Sequence, residues 1–318
     1  MAPRDTPLAV VGAGSIGVAF TLVFARAGFE VRLQDPDPRR LAQAPEEIRS
    51  RLGALLEYGL LQEPAEDVLG RIRTVGDLAD AVRGATLVQE CAPERIDLKT
   101  QLFADLDRLA GTGTVLASSS SALTASSFAA DLDGRGRCLV AHPGNPPYLL
   151  PVIELVPAPF TGTPAVDRAR SVYAEAGLSP VFVEREVEGF VFNRLQGALL
   201  REAYCLVRDG VASVESIDQV VREGLGRRWA FMGPFETADL NTRGGITSHA
   251  EKMSPAYYRM GRERGQDDPW TDDLVATVTG QRRELLPLED WERRVLWRDE
   301  QLMRLAELFR RPDPPHRP

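Results

Sequence analysis

The sequence predicts an α/β fold: a doubly wound, mostly parallel sheet followed by an all-helical C-terminal domain. Two observations carry this. From Leu8 to about residue 185, short apolar runs alternate with helical patterns, the alternation that builds βαβ units with a ligand crevice at the carboxyl ends of the strands. From Gly189 onward only helical spacing remains, with Phe190, Leu195, Leu199, Leu206 and Val207 recurring before a Gly210 stop. The boundaries that follow are residues 1–187 for the sheet domain and 188–309 for the helical domain. The Arg/Pro-rich residues 310–318 read as a disordered tail. The polar, glycine-rich stretch 261–274 reads as a loop.

The first unit is the most informative locally. Leu8-Ala-Val-Val11 reads as a strand that runs into Gly12-Ala-Gly14-Ser15-Ile16-Gly17, and Val18 to Ala27 reads as a helix stopped by Gly28. Strand, tight glycine turn and helix is the context in which G-x-G-x-x-G binds a dinucleotide. Gly12 permits the turn, Gly14 lets the backbone approach a pyrophosphate, and Gly17 lets the helix pack close to the strand. Ser15 and Ile16 open the helix, whose positive end and unpaired N–H groups hold phosphates. A second strand, Glu30 to Gln34, ends at Asp35, eighteen positions after Gly17. That is close to the distance at which a carboxylate receives a ribose 2′-hydroxyl. Together these features predict a Rossmann-type domain that binds NAD. Asp35 would repel a 2′-phosphate and so favours NAD over NADP, while Arg39 and Arg40 nearby soften that preference.

The remaining elements of the sheet domain follow in order. A long helical region carries Leu41, Ile48, Leu52, Leu55 and Leu56, and strands are predicted at Ile72–Val75 and Leu87–Glu90. A helix near Leu98 to Leu109, a strand at Thr114–Ala117, a helix near Val166 to Ala176 and a strand at Pro180–Val183 complete the alternation. Glu90 and Ser118 to Ser121 fall just past strand ends, where the crevice lies.

His142 and Glu154 stand twelve positions apart, each in an apolar run, with Pro143-Gly-Asn-Pro-Pro-Tyr148 between them. The first run reads as a strand ending in histidine, the second as a strand bearing one carboxylate, and the Pro/Gly/Asn-rich link as a loop. An imidazole oriented by a carboxylate is a general acid/base, because the carboxylate fixes the tautomer and stabilises the imidazolium. The other two histidines, His249 and His316, fall in a polar loop and the tail.

Composition narrows the class. Net charge is −8, and there is no basic block, which argues against nucleic acid or an anionic membrane surface as partner. Cys91, Cys138 and Cys205 are widely spaced and form no C-x-x-C pair. They read as reduced thiols in a cytoplasmic protein, neither disulfides nor metal ligands. The polar, proline-broken first residues and the absence of a spanning apolar run predict neither export nor membrane insertion.

Several segments together resemble the 3-hydroxyacyl-CoA dehydrogenase superfamily. They are Glu90-Cys-Ala-Pro-Glu94, Ser118-Ser-Ser-Ser-Ala-Leu123, His142-Pro-Gly-Asn-Pro-Pro147, Glu154 and Gly189-Phe-Val-Phe-Asn-Arg194, in that order. Glu223 to Pro234 and Trp297 to Ala306 are most similar to its lambda-crystallin (L-gulonate 3-dehydrogenase) branch. The resemblance implies His142 as the acid/base, Glu154 as its orienting partner, and Ser121 and Asn193 as the groups that bind the reacting oxygen. It also implies that Glu90, Glu94 and Lys99 lie at the cofactor, and it marks Arg228 as a candidate to grip a substrate carboxylate through paired hydrogen bonds. No metal is implied.

The activity so expected is NAD-dependent oxidation of a small 3-hydroxy acid, L-gulonate or similar, to the 3-oxo acid. A 3-hydroxyacyl-CoA dehydrogenase and a non-catalytic NAD-binding structural or sensor protein are the alternatives. The helical domain, apolar on more than one helix, is expected to form a homodimer.

Overall fold

The computed structural model describes residues 6–230, 233–241, 245–264, 273, 284 and 287–308. The predicted tail at 310–318 lies outside the described residues. Strands β1 (Leu8–Val11), β2 (Val31–Gln34), β3 (Ile72–Val75), β4 (Leu87–Glu90), β5 (Val115–Ser118), β6 (Cys138–Pro143), β7 (Val152–Pro157) and β8 (Ser179–Phe182) form one sheet. Their order is β3-β2-β1-β4-β5-β6-β7-β8. Every pairing is parallel except β6 with β7. Strand order reverses between β1 and β4, and such a reversal opens a crevice at the carboxyl ends.

Helices α1 (Ser15–Arg26), α2 (Pro38–Glu57), α3 (Ala65–Leu69), α4 (Leu78–Val82), α5 (Ile96–Leu109), α6 (Ala125–Ala129) and α7 (Thr163–Glu175) connect these strands. The two-residue period of each strand divides its side chains between two cores. Leu8, Val10, Leu87, Ala117 and Leu139 join Val18, Phe20, Ile48 and Tyr173 on one face. Ala9, Val11, Val88, Leu116 and Val140 join Phe103, Leu106 and Phe128 on the other. Because both faces are covered, β1, β4, β5 and β6 are buried throughout and read as continuous apolar runs. Each Val or Leu so enclosed stabilises the fold by roughly 1.5–3 kcal/mol. At the start of α2 the Asp37 side chain accepts from Arg39 N–H at 2.9 Å, with Pro38 in the first turn, a well-capped helix start.

The chain divides into two compact units, one of residues through Arg194 together with those from Trp297, the other Leu195–Leu296. Phe190 is fully buried in the second core of the sheet unit. Met303, late in the sequence, is buried in the first core. Further helices among the described residues are α8 (Phe192–Arg208), α9 (Val214–Val220), α10 (Gly226–Trp229), α11 (Pro234–Asn241), α12 (Gly245–Arg264) and α13 (Trp291–Leu308). One expectation needs correction here: residues 261–264 continue α12 instead of opening a loop. Arg264 pairs with Glu202 at 2.9 Å and with Asp209, which holds the last turn in place despite Gly261. Of the rest of the stretch 265–274 only Asp273 is described. No helix among the described residues is long and apolar enough to cross a membrane.

Candidate active site

The antiparallel β6–β7 pair sets the centre of the site. His142 and Glu154 are direct cross-strand partners in its register, and cross-strand partners project to the same face. Their side chains meet, with His142 Nδ1 2.8 Å from Glu154 Oε2, and they are 7% and 3% exposed. The other oxygen, Glu154 Oε1, accepts from the N–H groups of Val191 at 2.8 Å and Phe192 at 2.9 Å. Burial pushes the Glu154 carboxyl up, but the bonds from His142, Phe192 and Val191 outweigh it and leave the pKa below the usual carboxylate range. Glu154 is therefore an anion, Nδ1 of His142 carries the proton toward it, and Nε2 is the basic nitrogen. Phe190 and Phe192 lie with ring centroids 5.6 and 6.1 Å from the imidazole, so apolar rings flank it. Phe190 has φ of +50°, a conformation rare for a bulky residue. It follows Gly189, and this turn delivers the two amides to Glu154.

A second cluster lies at the ends of β4 and β5. Lys99 Nζ donates to both Glu90 oxygens at 2.9 Å, and Ser118 Oγ donates to Glu90 Oε2 at 2.6 Å. Neither Glu90 nor Lys99 has any exposed side-chain surface. Together with Ser118 they tie the ends of β4 and β5 to each other. Glu94 is 40% exposed, with Oε2 3.7 Å from Lys99 Nζ. Its Oε1 accepts from Ser120 Oγ at 2.6 Å and from the N–H groups of Ser121, Ala122 and Leu123 at 3.1, 3.1 and 3.3 Å. The Ser121 carbonyl in turn accepts from Asn193 Nδ2 at 2.9 Å. The structure thus brings Ser121 and Asn193 together. Arg228 belongs to the other unit, where it is exposed and its Nη1 donates to Asn241 Oδ1 at 3.3 Å.

The fingerprint residues fit a dinucleotide. Gly12 has φ of +103°, and a Cβ there would lie 2.8 Å from the Cys91 carbonyl oxygen. A Cβ on Gly17 would lie 1.7 Å from the Gly12 carbonyl oxygen, whereas one on Gly14 would meet nothing within 4 Å. The turn is therefore closed on its inner side and open where a phosphate approaches. No side chain caps α1 and its first turn has no acidic residue, so the N–H groups at Ser15 and Ile16 remain suited to an anion. Asp35 Oδ2 accepts from Ala13 N–H at 2.7 Å and Oδ1 from Asp37 N–H at 2.8 Å. It is half-buried, and each of its oxygens keeps a second lone pair for a ribose hydroxyl. Cys91, beneath this turn, has its thiol pushed well up, by burial first and then by the Glu90 charge.

Sequence reasoning missed the Val191 and Phe192 amides, the flanking aromatic rings and the clasp on Glu94. Backbone donors leave no trace in residue type. The Gly189-Phe190 dipeptide was the one available signal for an unusual turn.

Comparison with known proteins agrees with this architecture. Residues 7–187 match the 3-hydroxyacyl-CoA dehydrogenase NAD binding domain, and residues 189–283 match the C-terminal domain of the same family. Lambda-crystallin of Oryctolagus cuniculus is 40% identical over 316 residues, covering 98% of this chain and 99% of that protein. L-Carnitine dehydrogenase of Streptomyces griseus subsp. griseus is 39% identical over 272 residues, 85% of this chain and 78% of that protein. Among solved structures, 5-formyl-3-hydroxy-2-methylpyridine 4-carboxylic acid 5-dehydrogenase, an NAD+-dependent dismutase, superposes with a TM-score of 0.81 at 27% identity, covering 96% of this chain and 97% of that one. With both halves matched in order and the fingerprint turn shaped for its cofactor, the chain belongs to the 3-hydroxyacyl-CoA dehydrogenase family of NAD-dependent oxidoreductases that act on CH–OH groups.

Proposed function

We propose that this protein oxidises a small free 3-hydroxy acid, L-gulonate or a close analogue, to the 3-oxo acid. The observation that carries the reading is the buried, in-register His142–Glu154 pair, because a protein that only binds a dinucleotide has no use for an oriented base. When bound, NAD supplies the hydride acceptor. His142 Nε2 takes the hydroxyl proton as the carbinol carbon loses its hydride, and Glu154 stabilises the imidazolium so formed. Ser121 and Asn193 hold the oxygen as it becomes a carbonyl. In the reverse direction the same imidazolium returns the proton. Asp35 and the Gly12–Gly17 turn hold the cofactor, and the family resemblance assigns the substrate carboxylate to Arg228.

A free acid is favoured over a thioester by L-carnitine dehydrogenase, a relative 39% identical, since carnitine is itself a 3-hydroxy acid with a free carboxylate. The net charge of −8 also disfavours the phosphates of CoA. NADH formation against a panel of free 3-hydroxy acids and 3-hydroxyacyl-CoA thioesters tests this. Turnover of free acids is expected. Turnover of thioesters alone would assign the chain to the acyl-CoA branch, and NAD binding without turnover of either would make it a binding protein.

We also infer a homodimer formed through the helical unit. Cys205 and Val214 are the only buried apolar side chains described there, while Phe235, Leu240 and Tyr258 are 82%, 66% and 66% exposed. Apolar side chains this exposed among the described residues favour a covering surface from a second copy. A monomeric mass in solution at micromolar concentration would contradict it. Three cysteines free of disulfides support a reducing, cytoplasmic setting.

A further inference from the structure

Glu94 makes more hydrogen bonds to the 120–123 turn than a crevice-rim carboxylate needs. One oxygen collects the Ser120 hydroxyl and three consecutive amide N–H groups, from Ser121 to Leu123. Successive N–H groups converging on one point form a nest for an anion, and here the anion is supplied by the chain. The carboxyl is raised by burial, yet the Ser120, Ala122 and Leu123 bonds and the Lys99 charge bring it below its usual range, so the nest holds a carboxylate. Lys99 is in turn fixed by Glu90 and Ser118. The turn therefore hangs from a buried charge cluster and not from its own serines.

The consequence runs onward to α8. With its N–H committed to Glu94, Ser121 presents its carbonyl to Asn193 Nδ2 and its side chain stays exposed. Asn193 lies next to Phe192, whose amide is held by Glu154. Two carboxylates thus place the first turn of α8, Glu154 directly and Glu94 through Ser121. We propose that Glu94 is the positioning residue for Ser121 and Asn193. It acts through the 120–123 turn, touches no reacting atom, and sets the distance between the two groups assigned to the reacting oxygen. This rests on the roles proposed above for Ser121 and Asn193.

Glu94→Ala empties the nest and leaves its N–H groups, the Ser120 hydroxyl and Lys99 around a space of carboxylate size. The expected result is a kcat at least ~10-fold lower, since misplacing oxygen-binding groups by an ångström costs up to about 10²-fold. The Kd for NADH should change less than about threefold, and added formate should restore part of the lost kcat by refilling the nest. A direct cofactor ligand would behave the opposite way, with NADH binding weakened and kcat at saturating NAD preserved. Either that pattern, a kcat within about twofold of the parent, or a loss that formate leaves untouched overturns the proposal. Amide hydrogen exchange supplies a readout independent of turnover: Glu94→Ala should expose both the 120–123 and the 189–193 segments, and unchanged protection at 189–193 overturns the link. Glu94→Gln keeps an acceptor oxygen and decides the matter if the alanine variant does not fold, with an intermediate loss of kcat expected and a parental kcat contradicting it. Inactivity of the parent enzyme towards every 3-hydroxy acid removes the proposed substrate class instead, and the exchange result still decides the positioning role.

Discussion

Replacing Glu154 by glutamine tests the tautomer argument at the centre of the site. Oε1 accepts from two backbone amides at 2.8 and 2.9 Å, so the glutamine carbonyl must take that place, because an NH2 group there would face two donors. Its NH2 then points at His142 Nδ1, 2.8 Å away. Nδ1 is forced to accept, the ring proton moves to Nε2, and the nitrogen that should take the substrate proton is blocked. The side chain keeps its volume and its three contacts, so the fold should survive. An amide-for-carboxylate exchange that imposes the wrong tautomer in a Ser-His-Asp triad lowers kcat by about 10⁴, and general-base catalysis is worth roughly 10²–10⁴. A loss of ~10²–10⁴ in kcat is expected, or about 3–5 kcal/mol of barrier, with NADH affinity unchanged. Stopped-flow NADH formation, NADH titration and a melting curve measure the three quantities. A kcat within fivefold of the parent in a protein that still melts cooperatively would refute the reasoning.

Four further outcomes follow from the same geometry. Gly17→Ala places a Cβ 1.7 Å from the Gly12 carbonyl oxygen, so NAD binding should be lost or the protein should fail to fold, and parental NADH affinity would contradict the close packing of the turn. Asp35→Ala removes the carboxylate that holds Ala13 and Asp37 N–H; NAD use should weaken and the NADP/NAD ratio of kcat/KM should rise, and an unchanged ratio would count against the ribose role. Lys99→Met strands Glu90 with no exposed surface and should destabilise the protein by ~3–5 kcal/mol, read from urea unfolding. The Glu154 and Glu94 carboxyls both titrate below their usual range when folded, so the stability they confer is complete above the unfolded carboxylate pKa of about 4.3. It is lost as pH falls through the lower folded values, so the melting temperatures of Glu154→Gln and the parent should converge on acidification and stay apart at neutral pH.

The fold was legible because its core strands are covered on both faces. Leu8–Val11 and Leu87–Glu90 stand where predicted, and the strand predicted at Thr114–Ala117 is shifted by a single residue to Val115–Ser118. The short helices α3, α4 and α6 escaped notice, since five residues are too few to show a 3.6-residue period. The hairpin between β6 and β7 was readable in principle: Gly144–Pro151 is too short for the dozen or so residues that a parallel crossover requires. That constraint alone brings His142 and Glu154 onto neighbouring antiparallel strands.

The rest of the site depended on contacts that residue types do not encode. Glu94 and Lys99 entered as cofactor residues through the family resemblance, and the fold leaves Lys99 wholly enclosed. What encloses it is Glu90 and Ser118, which lie on neighbouring parallel strands. Asn193 entered through the resemblance alone, and its link to Ser121 comes from a turn that a carboxylate folds from outside. Cys138, buried in β6 with its thiol pushed up to about 12 by burial and Asp107, fits the expected inert core thiol.

Single-turnover NADH formation by His142→Gln, with NAD and a 3-hydroxy acid both saturating, tests the central claim most directly. The account predicts a rate at least ~10² below the parent with NADH binding intact. A rate within tenfold of the parent would show that the imidazole held by Glu154 is not the base.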